Sequence, residues 1–162
     1  MMNVNADNLG GWSISLEMFD WILQNIPKSS FILEFGAGKG TIELANYYKV
    51  ISIEQDKQWA YLTDKAEYHI APLIRNWYSV NVVKKAIDRK DIKLIIVDGP
   101  SGSGNRNGLV HFLLRNPVLR TAIIIIDDVH RENERILAEK IASLTKRKAT
   151  YVQCSDKSFC II

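Results

Sequence analysis

The chain has 162 residues, 47% hydrophobic and 24% charged, with a net charge of +3. That is enough apolar material for one globular domain spanning residues 1–162, and too little positive charge to argue for a nucleic-acid partner. The longest apolar run, residues 122–126, is far too short to cross a membrane, and the polar opening 1–8 does not read as a signal peptide. A cytoplasmic protein without a membrane partner is the expectation.

Apolar runs alternate with amphipathic stretches from end to end, the pattern of βαβ units and a parallel sheet. Residues 15–26 read as an opening helix with Leu16, Phe19, Ile22 and Leu23 on one face, stopped by Pro27. Strands are expected at 31–35, 49–53, 69–74, 93–97 and 121–126, and helices at 41–47, 57–67, 79–88, 108–115 and 131–147. Two short strands follow, 150–154 and 158–162, separated by the turn Ser155-Asp156-Lys157. Cys154 and Cys160 flank that turn; they could face each other across the hairpin, or be free and buried. The fold class is α/β: a three-layer, doubly wound, mostly parallel seven-stranded sheet with a C-terminal antiparallel hairpin. Ligands of such sheets bind beyond the carboxyl ends of the strands, where the strand order reverses.

The segment Phe-Ile-Leu-Glu-Phe-Gly-Ala-Gly-Lys-Gly-Thr, 31–41, joins the first strand to the next helix. Gly36, Gly38 and Gly40 make a turn that can approach a ligand closely. Their GxGxG spacing is neither the dinucleotide fingerprint nor a P-loop. Glu34, at the end of the strand, suits a cationic ligand better than a pyrophosphate. S-adenosylmethionine, with an ammonium and a sulfonium, has that character. Glu54 follows the second strand, where an acid of a doubly wound fold accepts hydrogen bonds from ribose hydroxyls.

Asp98-Gly99-Pro100 ends the fourth strand, and Asp127-Asp128-Val129-His130-Arg131 follows the fifth. Neighbouring strands would bring Asp98, Asp127 and Asp128 to one edge. Three carboxylates repel unless something positive sits among them: Mg²⁺, which prefers oxygen ligands, Arg131, or the cation of the ligand itself. One of Asp127 and Asp128 could instead cap the next helix.

These motifs resemble the class I S-adenosylmethionine-dependent methyltransferases over most of the chain. A narrower likeness is to bacterial members of unassigned substrate, carried by Gly10-Gly11-Trp12-Ser13, Glu34 to Gly38, Pro72-Leu73 with Trp77-Tyr78, Val97 to Pro100, and Asp127 to Arg131. The resemblance implies the fold and S-adenosylmethionine as cofactor. The cofactor-binding set then comprises Ser13, Glu34, Gly36, Ala37, Gly38, Gly40, Glu54, Gln55, Trp77 and Asp98; Trp77 and Tyr78, just past the third strand, are placed to cover the adenine face or are ordinary core. The aspartates are also similar to the metal site of catechol-type O-methyltransferases. This chain departs in having Asp128 where that family has Asn, and in having no lysine in the loop 101–107.

The expected reaction is O-methylation of a small-molecule or glycan-type acceptor. Asp98, Asp127 and His130 are the candidate catalytic residues, and either His130 or Mg²⁺ would deal with the acceptor proton. Arg106 and Arg131 could meet an anionic acceptor, or be solvated surface arginines. Nucleic-acid N-methylation is the alternative enzyme reading, opposed by Asp98-Gly99-Pro100-Ser101, which lacks the aromatic that stacks on a flipped base. Non-catalytic cofactor binding is the third reading. The acceptor site would come from residues 1–15 and the loops after the fourth and fifth strands, or from a second subunit of a homodimer.

Overall fold

The computed structural model describes residues 5–102 and 104–162. Strands β1 (Phe31–Phe35), β2 (Lys49–Glu54), β3 (Glu67–Ile70), β6 (Ile92–Val97), β7 (Ile123–Ile126), β8 (Thr150–Gln153) and β9 (Ser158–Ile161) form one sheet in the order β3-β2-β1-β6-β7-β9-β8. All neighbours are parallel except β9, which runs antiparallel to both β7 and β8. A separate antiparallel pair, β4 (Leu73–Ile74) and β5 (Trp77–Tyr78), lies outside the sheet. The strand order reverses between β1 and β6.

Period-2 alternation decides what each face buries. Leu33, Phe35, Ile51, Ile53, Ile95, Val97, Ile124 and Ile126 pack in one cluster with residues of α3 (Val80–Ile87), α4 (Gly108–Arg115) and α5 (Glu132–Thr145). Ile32, Val50, Leu94, Ile96 and Ile125 pack in the other, with α1 (Leu16–Asn25) and α2 (Lys39–Leu44). The sheet is thus covered by helices on both sides. Ser15 caps α1, its Oγ accepting from Met18 N at 3.1 Å. Leu16 on that helix is 46% exposed, so the buried face is Met18, Phe19 and Ile22.

The expected helix at 57–67 is absent. Asp56 Oδ1 and Thr63 Oγ1 accept from backbone N–H groups two residues on, and Tyr61 is left-handed with φ 62°. Such local bonds compete with helix, and a left-handed tyrosine interrupts it. The expected strand at 69–74 breaks at Pro72, beyond which the chain turns back through Arg75 (φ 51°) and Asn76 (φ 67°) into β5. Two successive positive φ values are what a tight two-residue hairpin needs. Cys154 and Cys160 are free and buried.

Register brings the site together. Phe35 pairs with Ile53 and with Val97, and Val97 pairs with Ile126. Glu54, which ends β2, and Gly36, Asp98 and Asp127, which follow β1, β6 and β7, therefore emerge along a single edge. Because β9 runs the other way and Ile126 faces Cys160, the turn preceding β9 reaches the same edge.

Candidate functional site at the carboxyl edge of the sheet

A cavity of about 330 Å³ opens beyond the ends of β1, β2 and β6, lined by Gly36, Ala37, Gly38, Lys39, Glu54, Asp98, Gly99 and Ser101, with Asp7, Asn8, Gly10, Trp12 and Ser13 from the N-terminal segment and Trp59 from the loop after β2. It lies at the switch point, within the ~300–1,000 Å³ typical of small-molecule sites.

The three glycines of the turn have different work. Gly36 is left-handed with φ 94°, and a Cβ there would sit 2.6 Å from Gly99 N, so the turn packs directly on the end of β6. Gly40 is closed over by the N-terminal segment: its Cβ would meet Ser13 Oγ at 2.7 Å. At Gly38 the added atom would meet nothing within 4 Å, so a side chain there would project into the cavity. Its φ of −175° is extended backbone open to any residue; space, and not backbone conformation, is what a larger residue would contest.

Glu54 is buried at the cavity wall. Its Oε2 accepts from Ala37 N at 2.9 Å, and its Oε1 accepts from Gln55 N and Asp56 N at 2.7 and 2.8 Å. This fixes both the carboxylate and the glycine turn it supports. Gln55 points across to Ser101, donating from Nε2 at 3.2 Å. Glu34 lies beneath the turn and does not line the cavity. Its Oε2 accepts from Thr41 Oγ1 at 2.7 Å and Ser52 Oγ at 2.6 Å, so it ties β1 to α2 and β2. Burial raises its pKa to about 7 against the opposing hydrogen bonds. Its expected contact with a bound cation is replaced by this internal one.

Trp77 takes the second of its two expected places, the core. It is buried against Phe35, with ring centroids 5.0 Å apart, and against Gly108, where no Cβ would fit. The bulky aromatics at the cavity are Trp12 and Trp59. The segment 57–66, a loop where a helix was expected, brings Trp59 to the cavity.

Asp98, Asp127 and Asp128 do come together, with one oxygen of each within 4.8 Å of the others. Two buried cations occupy their surroundings. Lys157 Nζ donates to Asp127 Oδ2 at 2.7 Å and also to the Ser13 carbonyl. Arg106, 8% exposed, donates from Nη2 to Asp128 Oδ2 at 3.1 Å, lies 3.5 Å from Asp98 Oδ1, and binds the Asp127 carbonyl through Nη1 at 3.0 Å. Asp127 Oδ1 accepts from Asp128 N at 2.9 Å, so both its oxygens are committed to internal partners. An octahedral Mg²⁺ would have to displace these partners and bring two more positive charges beside an ammonium and a guanidinium. The carboxylates are brought together as expected, but Lys157 and Arg106 already supply their positive charge, so a divalent ion at Asp98, Asp127 and Asp128 would have to compete with both.

Asp127 is fully buried and outside the cavity lining, which leaves it a supporting residue. Neither aspartate caps α5, whose N-cap is Arg131; instead Asp128 takes φ 62° and accepts Arg131 N at its carbonyl. His130 is exposed and lies outside the cavity lining. Asp98 is the acid at the cavity wall. Burial, and then the neighbouring Asp127 charge, push its pKa up to about 8 against the pull of Arg106 and Lys157.

Arg106, expected to meet an anionic acceptor or to be a solvated surface arginine, is instead buried and paired internally, and Lys157 had no role assigned from sequence beyond its place in the hairpin turn. The signal for Lys157 was available: an antiparallel last strand beside β7 must begin at the edge where Asp127 ends.

Neither a protein-family model nor a curated protein sequence matches the chain. Solved structures do. The methyltransferase MycE from the mycinamycin biosynthetic pathway, in complex with Mg and SAH, aligns at TM-score 0.58 and 10% identity, over 95% of this chain and 51% of that one. This chain thus spans about half of that protein's length. A putative methyltransferase from Pseudomonas syringae aligns at 0.54 and 14% identity, over 88% and 93% of the two chains. A methyltransferase-like protein from Silicibacter pomeroyi aligns at 0.53 and 14% identity, over 96% and 89%. At such identities the likeness is one of architecture, and the architecture is that of the Rossmann-like methyltransferases.

Proposed function

We propose that the chain is an S-adenosylmethionine-dependent methyltransferase that methylates a hydroxyl of a small-molecule or glycan-type acceptor. The observation that carries this reading is the cavity at the switch point, where the Gly36–Gly38 turn, Glu54 and Asp98 share one wall. Among the described residues its lining sets the carboxylates of Asp7 and Glu54, with the acid Asp98, against the ammonium of Lys39. That balance favours a ligand bearing an ammonium and a sulfonium over a pyrophosphate. The open space above Gly38 leaves room for such a ligand, and the buried Ser13 hydroxyl has no protein partner among the described residues.

The cofactor, when bound, supplies an electrophilic methyl group on a sulfonium. The residues of the chain do the rest. Glu54 accepts from a ribose hydroxyl on the remaining lone pair of its fixed carboxylate, at Oε2. Trp59, on the loop beyond Glu54, takes the adenine-covering role. Asp98 stands at the cavity wall with a pKa near working pH and takes the proton that the acceptor hydroxyl gives up as its oxygen attacks the methyl carbon. Arg106, donating to Asp128 and to the Asp98 carbonyl, holds the end of β6 so that Asp98 keeps its aim.

Methyl-labelled S-adenosylmethionine tests this reading when incubated with the protein and fractionated metabolites, oligosaccharides and nucleic acids. Label should enter a hydroxylated small-molecule or oligosaccharide fraction and be lost with Asp98→Asn. Label entering nucleic acid alone, or none transferred while the cofactor binds, would contradict it.

A further inference from the structure

Trp12 is 92% exposed, and it lines the cavity. Exposure of a single aromatic is ordinary on a protein surface. What sets Trp12 apart is how it is held. Gly10 and Gly11 both take positive φ, 82° and 59°, with no atom near either absent Cβ. The turn is closed by Gly10 N to Ile14 O at 2.8 Å and Ser13 N to Gly10 O at 3.0 Å. It is anchored to the far end of the chain by Gly11 N to Asp156 Oδ2 at 3.1 Å and by Lys157 to the Ser13 carbonyl. Ser13, the next residue, lines the same cavity with a buried hydroxyl that no protein group satisfies. A turn pinned at four points thus holds an indole at the mouth of the cavity.

A cavity of about 330 Å³ is at the small end for a ligand site, so a nucleoside cofactor fills most of it. The acceptor must then meet the methyl group from the mouth, where Trp12 stands. Asp7, on the same rim, opposes an acceptor bearing phosphate or carboxylate.

Resting on the methyltransferase reading, we propose that Trp12 is the acceptor platform, selecting an uncharged hydroxylated ring that lays one apolar face on the indole. Sugar rings and phenols both present such a face, and the Asp7 carboxylate on the rim disfavours their anionic derivatives.

The test uses the full chain saturated with S-adenosylhomocysteine and reads ring-proton saturation transfer from two probes, catechol and methyl β-glucopyranoside. Their anionic counterparts, phenyl phosphate and glucose 6-phosphate, serve as controls, all at up to about 10 mM to reach weak affinities. At least one neutral probe should bind, roughly tenfold more weakly in Trp12→Ala, with recovery in Trp12→Phe. Catechol alone identifies a phenolic acceptor, and the glucoside alone a sugar. Absence of signal from both neutral probes, signals indifferent to Trp12→Ala, or equal binding of the phosphorylated controls would overturn the proposal. So would a larger loss of S-adenosylhomocysteine affinity than of probe affinity in Trp12→Ala, which would assign the indole to the cofactor. Failure of the wild-type chain to bind S-adenosylhomocysteine would instead defeat the methyltransferase reading on which the proposal rests.

Discussion

Lys157 Nζ lies 2.7 Å from Asp127 Oδ2 and also donates to the Ser13 carbonyl, so one buried ammonium joins the hairpin turn, the end of β7 and the N-terminal segment. Burial works against that charge, but Asp127, Asp98 and Asp128 outweigh it and hold the lysine pKa above its ordinary value. Removing one partner strands the other in the interior. Lys157→Met should lower unfolding free energy by about 3–5 kcal/mol in urea denaturation. Adding Asp127→Leu should recover much of the loss, because an apolar pair needs no compensation. Equal destabilisation in the single and double variants would show that the ion pair is not the source.

Two neighbouring glycines should separate folding from binding. Gly36→Ala places a Cβ against Gly99 backbone and demands φ near 94°, so it should reduce thermal stability and binding together. Gly38→Val adds its atoms to open cavity; its melting temperature should stay near wild type while S-adenosylhomocysteine affinity is lost. Unchanged affinity in Gly38→Val would mean that the cavity above the turn is not where the ligand sits.

The pattern of legibility has physical causes. Phe31 to Thr41 combines an apolar run, an acid and three spaced glycines, and Asp98 and Asp127 each follow an apolar strand, so strand ends alone brought these residues to one edge. Part of the counter-charge was legible in Arg131, which lies 3.2 Å from Asp128 Oδ2; the buried part was not. Arg106 sits among Gly, Ser and Asn, and Lys157 among Ser and Asp, composition that reads as solvated turn, yet both are buried by contacts distant in the chain. The loop at 57–66 carries helical periodicity but is governed by Asp56, Thr63 and a left-handed Tyr61.

Glu34 should leave a signature in the pH dependence of stability. Its folded pKa is raised from 4.5 to about 7, so the folded state holds a proton that the unfolded chain releases. The contribution is complete below the unfolded value and is lost as pH rises through the folded one. Relative to Glu34→Gln, wild-type stability should fall between about pH 4.5 and pH 7, by at most about 3 kcal/mol. A constant difference between the two proteins across that interval, in denaturation at matched ionic strength, would count against a buried, proton-holding Glu34.

Asp98 makes the corresponding prediction for the reaction. Held up to about 8, it is largely protonated at lower pH and becomes a competent base as pH rises. The rate of methyl transfer should climb through about pH 8, drop roughly 10²–10⁴-fold in Asp98→Asn, and survive both chelation and His130→Ala. Loss of activity with a chelator and its return with Mg²⁺ would show that the metal outcompetes Lys157 and Arg106.

The account stands or falls on which ligand the carboxyl edge accepts. Titration calorimetry of the purified chain with S-adenosylhomocysteine, NAD and ATP measures this directly. Saturable, single-site binding of S-adenosylhomocysteine is expected, weakened by Glu54→Ala by about 1.5–3 kcal/mol for the ribose hydrogen bond lost to the charged carboxylate, with neither NAD nor ATP binding comparably. Tighter binding of NAD than of S-adenosylhomocysteine, or affinity indifferent to Glu54→Ala, would contradict it.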